Sequence, residues 1–156
     1  MDKKQTIFIA LPKGRILNQA LKVLKKVGIY PDSSFYVEGD RKLQFSTNLE
    51  NIKLIVVRSF DVATFLIYGA AHIAIIGSDV LTEFEHSEIY SPLDLSIGNC
   101  RMVVATKKEM LLNEDPLEWS YVRVATKYPN ITKRHFENRG VHAECIKLNG
   151  AMELAP

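Results

Sequence analysis

The sequence predicts an α/β fold with a largely parallel sheet, and three observations support that prediction. Strand-like and helix-like segments alternate along the chain, as they do when helices connect parallel strands. The short β-branched run Lys53–Val57 is typical of a buried strand. Polar turns follow three predicted strands, at Pro12–Arg15, Arg58–Asp61 and Gly77–Asp79. Ligands bind beyond the carboxyl ends of parallel strands, so these turns are candidate binding segments.

The first predicted unit begins with an apolar run that stops at Pro12, and an amphipathic segment with helical spacing follows it. Gly28 and Gly69 are placed to end helices. Strands are predicted at Ile7–Ala10, Lys42–Ser46, Lys53–Val57 and Ile73–Ile76. Helices are predicted at Ile16–Val27, from Ser59 or Asp61 to about Tyr68, and from Ser78 or Asp79 through Phe84, with the named serine or aspartate as N-cap.

A second, smaller unit is predicted to begin after Leu95, giving domains at residues 1–95 and 96–156, the second incomplete at its C-terminal end. Its predicted strands are Met102–Thr106, Val122–Thr126 and Glu144–Leu148. A helix is predicted at Ile131–Arg139, after Pro129 and closed by Gly140. The polar segment Lys107–Ser120 reads as a surface excursion.

Composition argues against several classes of function. The chain has 156 residues and a formal net charge of +2, from 20 Lys and Arg against 18 Asp and Glu, so no bulk charge favours nucleic acid or membrane. No apolar stretch reaches the ~18 residues of a membrane helix, and the polar N-terminus has no signal-peptide core, which indicates a cytoplasmic protein.

The two cysteines, Cys100 and Cys145, lack metal-site spacing and are expected to be reduced, mostly buried thiols. His135 and His142 lie near Cys145 in sequence, but a zinc site needs about four ligands at compatible geometry. The sequence therefore predicts no metal ligands.

Each candidate site residue has a plain structural alternative. Lys13 and Arg15 flank Gly14, and this arrangement favours an anion-binding site. The structural alternative is that both cations are solvated side chains after a strand. Arg58 either pairs with Asp61 or holds a phosphate or carboxylate.

Other candidates are equally open. Ser78 and Asp79 are either helix caps or ligand contacts. Turn chemistry alone explains Pro129 and Asn130 after Thr126, and a lone Glu153 near a chain end is usually solvated.

The joint order of these motifs is more specific than any one of them. The ordered segments Ile9–Arg15, Val57–Asp61, Ile75–Leu81, Gly98–Arg101, Val124–Pro129 and Leu148–Pro156 resemble the catalytic subunit of ATP phosphoribosyltransferase over essentially the whole chain. The resemblance implies transfer of a phosphoribosyl group from phosphoribosyl pyrophosphate to N1 of ATP, with Mg²⁺ accompanying the pyrophosphate. It also implies a two-domain α/β fold of the periplasmic-binding-protein type (type II), with mostly parallel sheets and a cleft between the domains.

The resemblance also implies roles for individual residues. The catalytic residues would be Lys13, Arg58 and Glu153, the last close to the ribose. The substrate-binding residues would be Leu11, Gly14, Arg15, Arg41, Ser78, Asp79, Cys100, Arg101, Thr126 and Tyr128. No covalent nucleophile is implied, because catalysis would rest on positioning and electrostatic stabilisation.

Two departures from the family pattern stand out. His72-Ile73-Ala74-Ile75 stands where the family usually has Asp-Leu-Gly-Ile, and the acidic Thr/Gly-rich loop that the family has after Ala155-Pro156 is absent. The expectation is therefore a truncated gene product, an expressed fragment or part of a longer protein, with the short family form favoured. That form implies a homo-oligomer and a regulatory subunit resembling histidyl-tRNA synthetase.

Two rival interpretations stay open at this point. One is a non-catalytic small-molecule-binding module of the same fold. The other is a degenerate paralogue that serves only as an assembly partner. Purified protein that binds no nucleotide would favour the degenerate paralogue.

Overall fold

The protein has a mixed α/β fold with mostly parallel strands in two compact units, Met1–Cys100 and Arg101–Pro156. The structure is a computed structural model that describes residues 5–37, 41–86, 88–109 and 118–154. The boundary after Leu95 stays a prediction.

The first unit contains four strands and three α-helices among its described residues, and their bounds differ from the predicted ones by at most two residues. The strands are β1 (Ile7–Pro12), β2 (Gln44–Ser46), β3 (Ile52–Val57) and β4 (Ile73–Ala74). The helices are α1 (Leu17–Lys26), α2 (Ser59–Ile67) and α3 (Ser78–Phe84), with a short 3-10 helix at Ser33–Tyr36.

The four strands form one sheet in the order β2-β3-β1-β4. β1 runs parallel to β3 and β4, with Pro12 opposite Val57 and Ala10 opposite Ala74, whereas β2 is antiparallel to β3. The carboxyl ends of β1, β3 and β4 therefore lie along one edge, which the segment entering β2 also reaches.

Both faces of this sheet are packed, as a parallel sheet requires. Alternate β1 side chains face opposite ways, so Leu11 packs with Ala20 and Leu24 of α1 and Ala10 packs with Val62 of α2. These residues are almost fully buried. Helices on both faces hold the carboxyl edge in place from two sides.

His72 extends the pairing of the short strand β4 by one residue. Its backbone N–H donates to the Phe8 carbonyl over 2.9 Å, and its Nδ1 accepts the Phe8 N–H over 3.1 Å. The two rings also stack, with centroids 6.0 Å apart. A side chain thus supplies an acceptor to β1 at the point where the strand has no ladder partner from β4.

The second unit contains a parallel pair of strands, β5 (Tyr121–Thr126) and β6 (His142–Lys147), connected by helix α4 (Pro129–Glu137). Phe136 of α4 packs with Val141 and Ala143 in a small apolar core. A 3-10 turn, Met152–Leu154, follows β6. The helix stops predicted at Gly28, Gly69 and Gly140 are confirmed by their positive φ.

Two predictions are wrong: the strand at Met102–Thr106 and the burial of both cysteines. Met102–Thr106 forms no strand and stays exposed, because a β-branched sequence becomes a strand only where a neighbouring strand pairs with it. Cys100 is exposed and Cys145 half-buried, although both are free thiols as predicted. Most of the predicted surface excursion, residues 110–117, lies outside the described residues.

No helix in the described part of the chain is long and apolar enough to cross a membrane.

Candidate functional site

Four basic side chains surround the carboxyl edge of the first unit's sheet. Lys13 and Arg15 follow β1, Arg58 follows β3, and Arg41 precedes the antiparallel strand β2. All four are exposed. Within the ranges the structure describes, none of them forms an ion pair with a carboxylate. The expected alternative of an Arg58–Asp61 ion pair is therefore not found there.

The four cations Lys13, Arg15, Arg41 and Arg58 form what we call the basic edge of the sheet, and backbone pairing sets the spacing between their segments. The Lys13 N–H donates to the Val57 carbonyl over 2.7 Å, which places the Lys13 backbone beside that of Arg58, the residue directly after the neighbouring strand β3. The Val56 N–H donates to the Leu43 carbonyl over 2.7 Å, so the chain between Arg41 and β2 passes the same end of β3. Neighbouring strands lie about 4.8 Å apart, a spacing at which adjacent cations can contact one polyphosphate.

Helices α1, α2 and α3 all begin at this edge, and none has a side-chain N-cap hydrogen bond. The predictions that Ser59 or Asp61 caps α2 and that Ser78 or Asp79 caps α3 are therefore wrong. The capping positions are instead Arg58 and Gly77, both in extended conformation. Uncapped helix ends leave backbone N–H groups that a ligand can satisfy, and the ends of α1 and α2 favour negative charge.

Two glycines shape the edge. Gly14 has φ of 103°, a conformation that other residues rarely adopt, and a Cβ there would meet no atom within 4 Å. At Gly77, a Cβ would lie 2.2 Å from Oδ1 of Asp79. The Asp79 carboxylate thus folds back over the turn that Gly77 leaves open.

The other predicted site residues are placed less informatively. Leu11 is fully buried in the core, so only its backbone can face a ligand. Cys100 and Arg101 are exposed at the junction of the two units in sequence. Glu153 lies in the turn Met152–Leu154, where the structure describes its backbone only.

In the second unit, a loop with buried hydroxyls joins β5 to α4. Thr126 is 8% exposed at the end of β5, and its Oγ1 accepts the Tyr128 N–H over 3.0 Å. Sequence reasoning missed its partner, Thr132, which is also 8% exposed and whose Oγ1 is 3.0 Å from that of Thr126. A threonine on the apolar side of α4, four residues before Phe136, was the available signal.

A separate polar cluster lies on the exposed face of the β5–β6 sheet. Glu144 accepts hydrogen bonds from the Tyr121 hydroxyl and, over 3.0 Å, from Nε of Arg123. These bonds, the one from Tyr121 first, lower the pKa of Glu144, and the same contact with Glu144 raises the pKa of Tyr121. All three side chains are exposed, so this cluster is open to solvent.

No three His, Cys, Asp or Glu side chains among the described residues lie together as a metal-ion site would need. Asp61 and Asp79 are the acidic residues of the turns at the basic edge, one near the start of α2 and one near the start of α3.

Comparison with known proteins gives one consistent result. The family model described as HisG: ATP phosphoribosyltransferase matches residues 58–156. The ATP phosphoribosyltransferase of Rhizorhabdus wittichii is 60% identical over 150 residues, covering 96% of this chain and 68% of that protein. That of Paramagnetospirillum magneticum is 55% identical over 156 residues, covering 100% of this chain and 71% of that protein.

A solved structure agrees with these relatives. The ATP phosphoribosyl transferase (HisG:HisZ) complex from Thermotoga maritima matches with a TM-score of 0.62 and 29% identity. The match covers 97% of this chain and 68% of that chain.

Proposed function

We propose a role in catalysis or binding for each described site residue, because the chain belongs to the ATP phosphoribosyltransferase family. The reaction is transfer of the phosphoribosyl group from phosphoribosyl pyrophosphate to N1 of ATP, with release of pyrophosphate, the first step of histidine biosynthesis. The adenine N1 lone pair forms the new bond to the anomeric carbon. The electrons of the broken carbon–oxygen bond leave with pyrophosphate.

The basic edge of the first unit binds the phosphates of the substrates. The observation that carries this proposal is the set of four exposed cations on adjacent segments of one sheet edge, none of which pairs with a carboxylate among the residues that the structure describes. Both substrates are polyphosphates, and charge-assisted hydrogen bonds to phosphate are the strong interactions that such an edge can supply. Arg15 and Arg41 bind and orient the polyphosphate chains.

Lys13 and Arg58 have the catalytic role at this edge. Negative charge grows on pyrophosphate as its bond to the sugar breaks, so cations held beside it stabilise the transition state more than the ground state. Their backbones are fixed by adjacent strands, which removes the cost of reorganising them during the reaction. Gly14 lets the pyrophosphate approach the backbone, and Ser78 and Asp79 contact the substrate from the start of α3.

Residues of the second unit contact the nucleoside and sugar. Tyr128, in the loop that Thr126 begins, offers a half-buried aromatic ring for the nucleotide. Glu153 supplies negative charge to the ribose as positive charge develops on it. Cys100 and Arg101 border the substrate as well.

Magnesium is proposed as part of the substrate. Mg²⁺ usually binds through substrate phosphates, several waters and one or two carboxylates. That chemistry fits the described residues, which offer single carboxylates such as Asp61 and Asp79 without a three-residue cluster. The ion would partly neutralise the leaving pyrophosphate.

Several broader properties are also proposals. Mostly parallel strand pairing in both units supports a two-domain architecture of the periplasmic-binding-protein type. The similarity to a HisG:HisZ complex supports a homo-oligomer that assembles with a regulatory subunit. A biosynthetic enzyme that uses ATP and phosphoribosyl pyrophosphate is expected in the cytoplasm.

A thermal-shift titration tests the basic edge. A ligand present at 100 times its Kd stabilises the folded state by about 2.7 kcal/mol, which raises Tm by roughly 5–11 °C at ~2–4 °C per kcal/mol. ATP or phosphoribosyl pyrophosphate should produce such a shift, and Arg58→Ala should reduce it. An equal shift in the variant would remove Arg58 from the site, and no shift with either substrate would favour the degenerate assembly partner.

A further inference from the structure

Two threonine hydroxyls hold the peptide groups of Tyr128 from both sides. The Thr132 hydroxyl donates to the Tyr128 carbonyl over 2.7 Å, and the Tyr128 N–H donates to Oγ1 of Thr126 over 3.0 Å. The two hydroxyl oxygens are themselves 3.0 Å apart. Together these bonds close a ring, which we call the Thr126–Thr132 hydroxyl ring, around the residue at the start of α4.

The direction of each hydrogen bond in this ring follows from proton counting. A hydroxyl has one proton, and the Tyr128 carbonyl can only accept, so the Thr132 proton is used there. Thr126 must then donate to Thr132. The only proton of the Thr126 hydroxyl is therefore committed inside the protein, and the side chain is 8% exposed.

The hydroxyl ring restrains Tyr128, whose backbone is part of neither a strand nor a helix. Tyr128 has φ −124° and ψ 67°, which belongs to neither the strand before it nor the helix after it. The Thr132 N–H also donates to its carbonyl over 3.0 Å, so Thr132 contacts Tyr128 through both backbone and side chain. Removing either hydroxyl would leave the remaining one buried with an unmet hydrogen bond and would release one side of the loop.

We propose that Thr132 is a positioning residue for phosphoribosyl transfer, and that Thr126 acts with it by fixing Tyr128 rather than by contacting the substrate. This inference rests on the proposed function, in which Tyr128 meets the nucleotide. The hydroxyl ring sets the position of the Tyr128 backbone, and through it the direction of the aromatic ring. A displacement of about 1 Å in such a group lowers rates by ~100-fold in other enzymes.

The test compares hydroxyl-deleting and hydroxyl-retaining variants of the full chain. Thr132→Val and Thr126→Val should each lower kcat/KM for ATP by roughly tenfold to hundredfold. The double variant should lose no more than the stronger single variant, because both break the same ring. Thr132→Ser keeps the hydroxyl and should restore most of kcat/KM.

A matched control separates positioning from stability. Thr47 also closes a turn with its hydroxyl, which lies 3.0 Å from the Leu49 carbonyl and 2.9 Å from that of Ile52, at the amino end of β3. Thr47→Val should lower Tm and leave kcat/KM unchanged at a temperature well below Tm. Thr132→Val should lower kcat/KM under the same conditions.

The possible outcomes distinguish this inference from the proposed function. If Tyr128→Ala loses activity while Thr132→Val keeps full kcat/KM, the hydroxyl ring does not position the loop and the inference fails. Failure of Thr132→Ser to restore activity, or additive losses in the double variant, would also overturn it. If Tyr128→Ala is fully active, the proposed role of the loop fails instead. Should Thr132→Val not fold, Thr126→Val tests the same ring from the strand side.

Discussion

Removal of the Arg58 side chain should weaken substrate binding with little effect on folding. The side chain is exposed, and the start of α2 depends on the Arg58 backbone, whose carbonyl accepts from the N–H groups of Asp61 at 2.9 Å and Val62 at 3.2 Å. Arg58→Ala keeps these bonds. The free energy of unfolding should therefore change by less than about 0.5 kcal/mol, as for ordinary surface substitutions.

The expected loss in binding is much larger. A hydrogen bond to a charged group contributes about 1.5–3 kcal/mol, which corresponds to a change of roughly 10- to 150-fold in affinity. Lys13 lies beside Arg58, with its N–H 2.7 Å from the Val57 carbonyl. If both cations hold the same pyrophosphate, Lys13→Ala and Arg58→Ala should be non-additive, with a coupling energy of about 0.5–3 kcal/mol.

The assay is a double-mutant cycle on kcat/KM for phosphoribosyl pyrophosphate and on the inhibition constant of pyrophosphate. Lys26→Ala is the matched control, because Lys26 is an exposed cation at the far end of α1, about 14 Å along the helix. The control should behave like the wild type in both measurements. The reasoning is refuted if Arg58→Ala and Lys26→Ala have the same kinetics, or if the two edge variants combine additively.

Three further outcomes are expected. Gly14→Ala should cost about 1–3 kcal/mol of unfolding free energy in urea titration, because Gly14 has φ of 103°, whereas Gly150→Ala, in open space at ordinary φ, should cost almost nothing; equal costs would contradict the backbone argument. The lowered pKa of Glu144 adds stability above the unfolded carboxyl pKa of about 4.3, and this contribution is lost as pH falls below that value. Glu144→Gln should therefore flatten the acid side of the Tm–pH profile, and an unchanged slope would count against the Tyr121–Glu144 bond. Leu54→Ala, at a fully buried position of β3, should destabilise by about 2–5 kcal/mol in urea titration, and a loss below 1 kcal/mol would contradict its central place in the core.

The sheet and the basic edge of the first unit could be predicted from the sequence. Hydrophobic periodicity placed the strands and helices, and parallel pairing then brought the turns after β1, β3 and β4 to one edge. Arg41 was harder to place, because its position depends on β2 being antiparallel to β3. Only the resemblance to the family singled it out.

Two features could not be predicted from local patterns. The predicted N-cap residues of α2 and α3 were wrong because the N-cap position depends on the backbone of the entering loop. Arg58 and Gly77, both in extended conformation, occupy the positions that were predicted for serine or aspartate. Met102–Thr106 has a strand-like composition, but strand formation depends on a partner elsewhere in the chain.

Thr132 shows a third kind of limit. Its side chain reaches a hydroxyl six residues earlier because of the conformation of the loop at Tyr128, which no residue pattern encodes. Its place four residues before Phe136 predicts that it lies on the buried side of the helix, but not that its hydroxyl bonds to Thr126 and Tyr128.

The most direct test of the account is the reaction itself. The full chain, assayed with ATP, phosphoribosyl pyrophosphate and Mg²⁺, both alone and with a regulatory subunit, should release one pyrophosphate for each phosphoribosyl-ATP formed. NMR of the product should show the ribose attached at N1 of adenine, and Arg58→Ala should lower kcat/KM. Binding of ATP without any pyrophosphate release in either condition would contradict the account and favour a non-catalytic nucleotide-binding module.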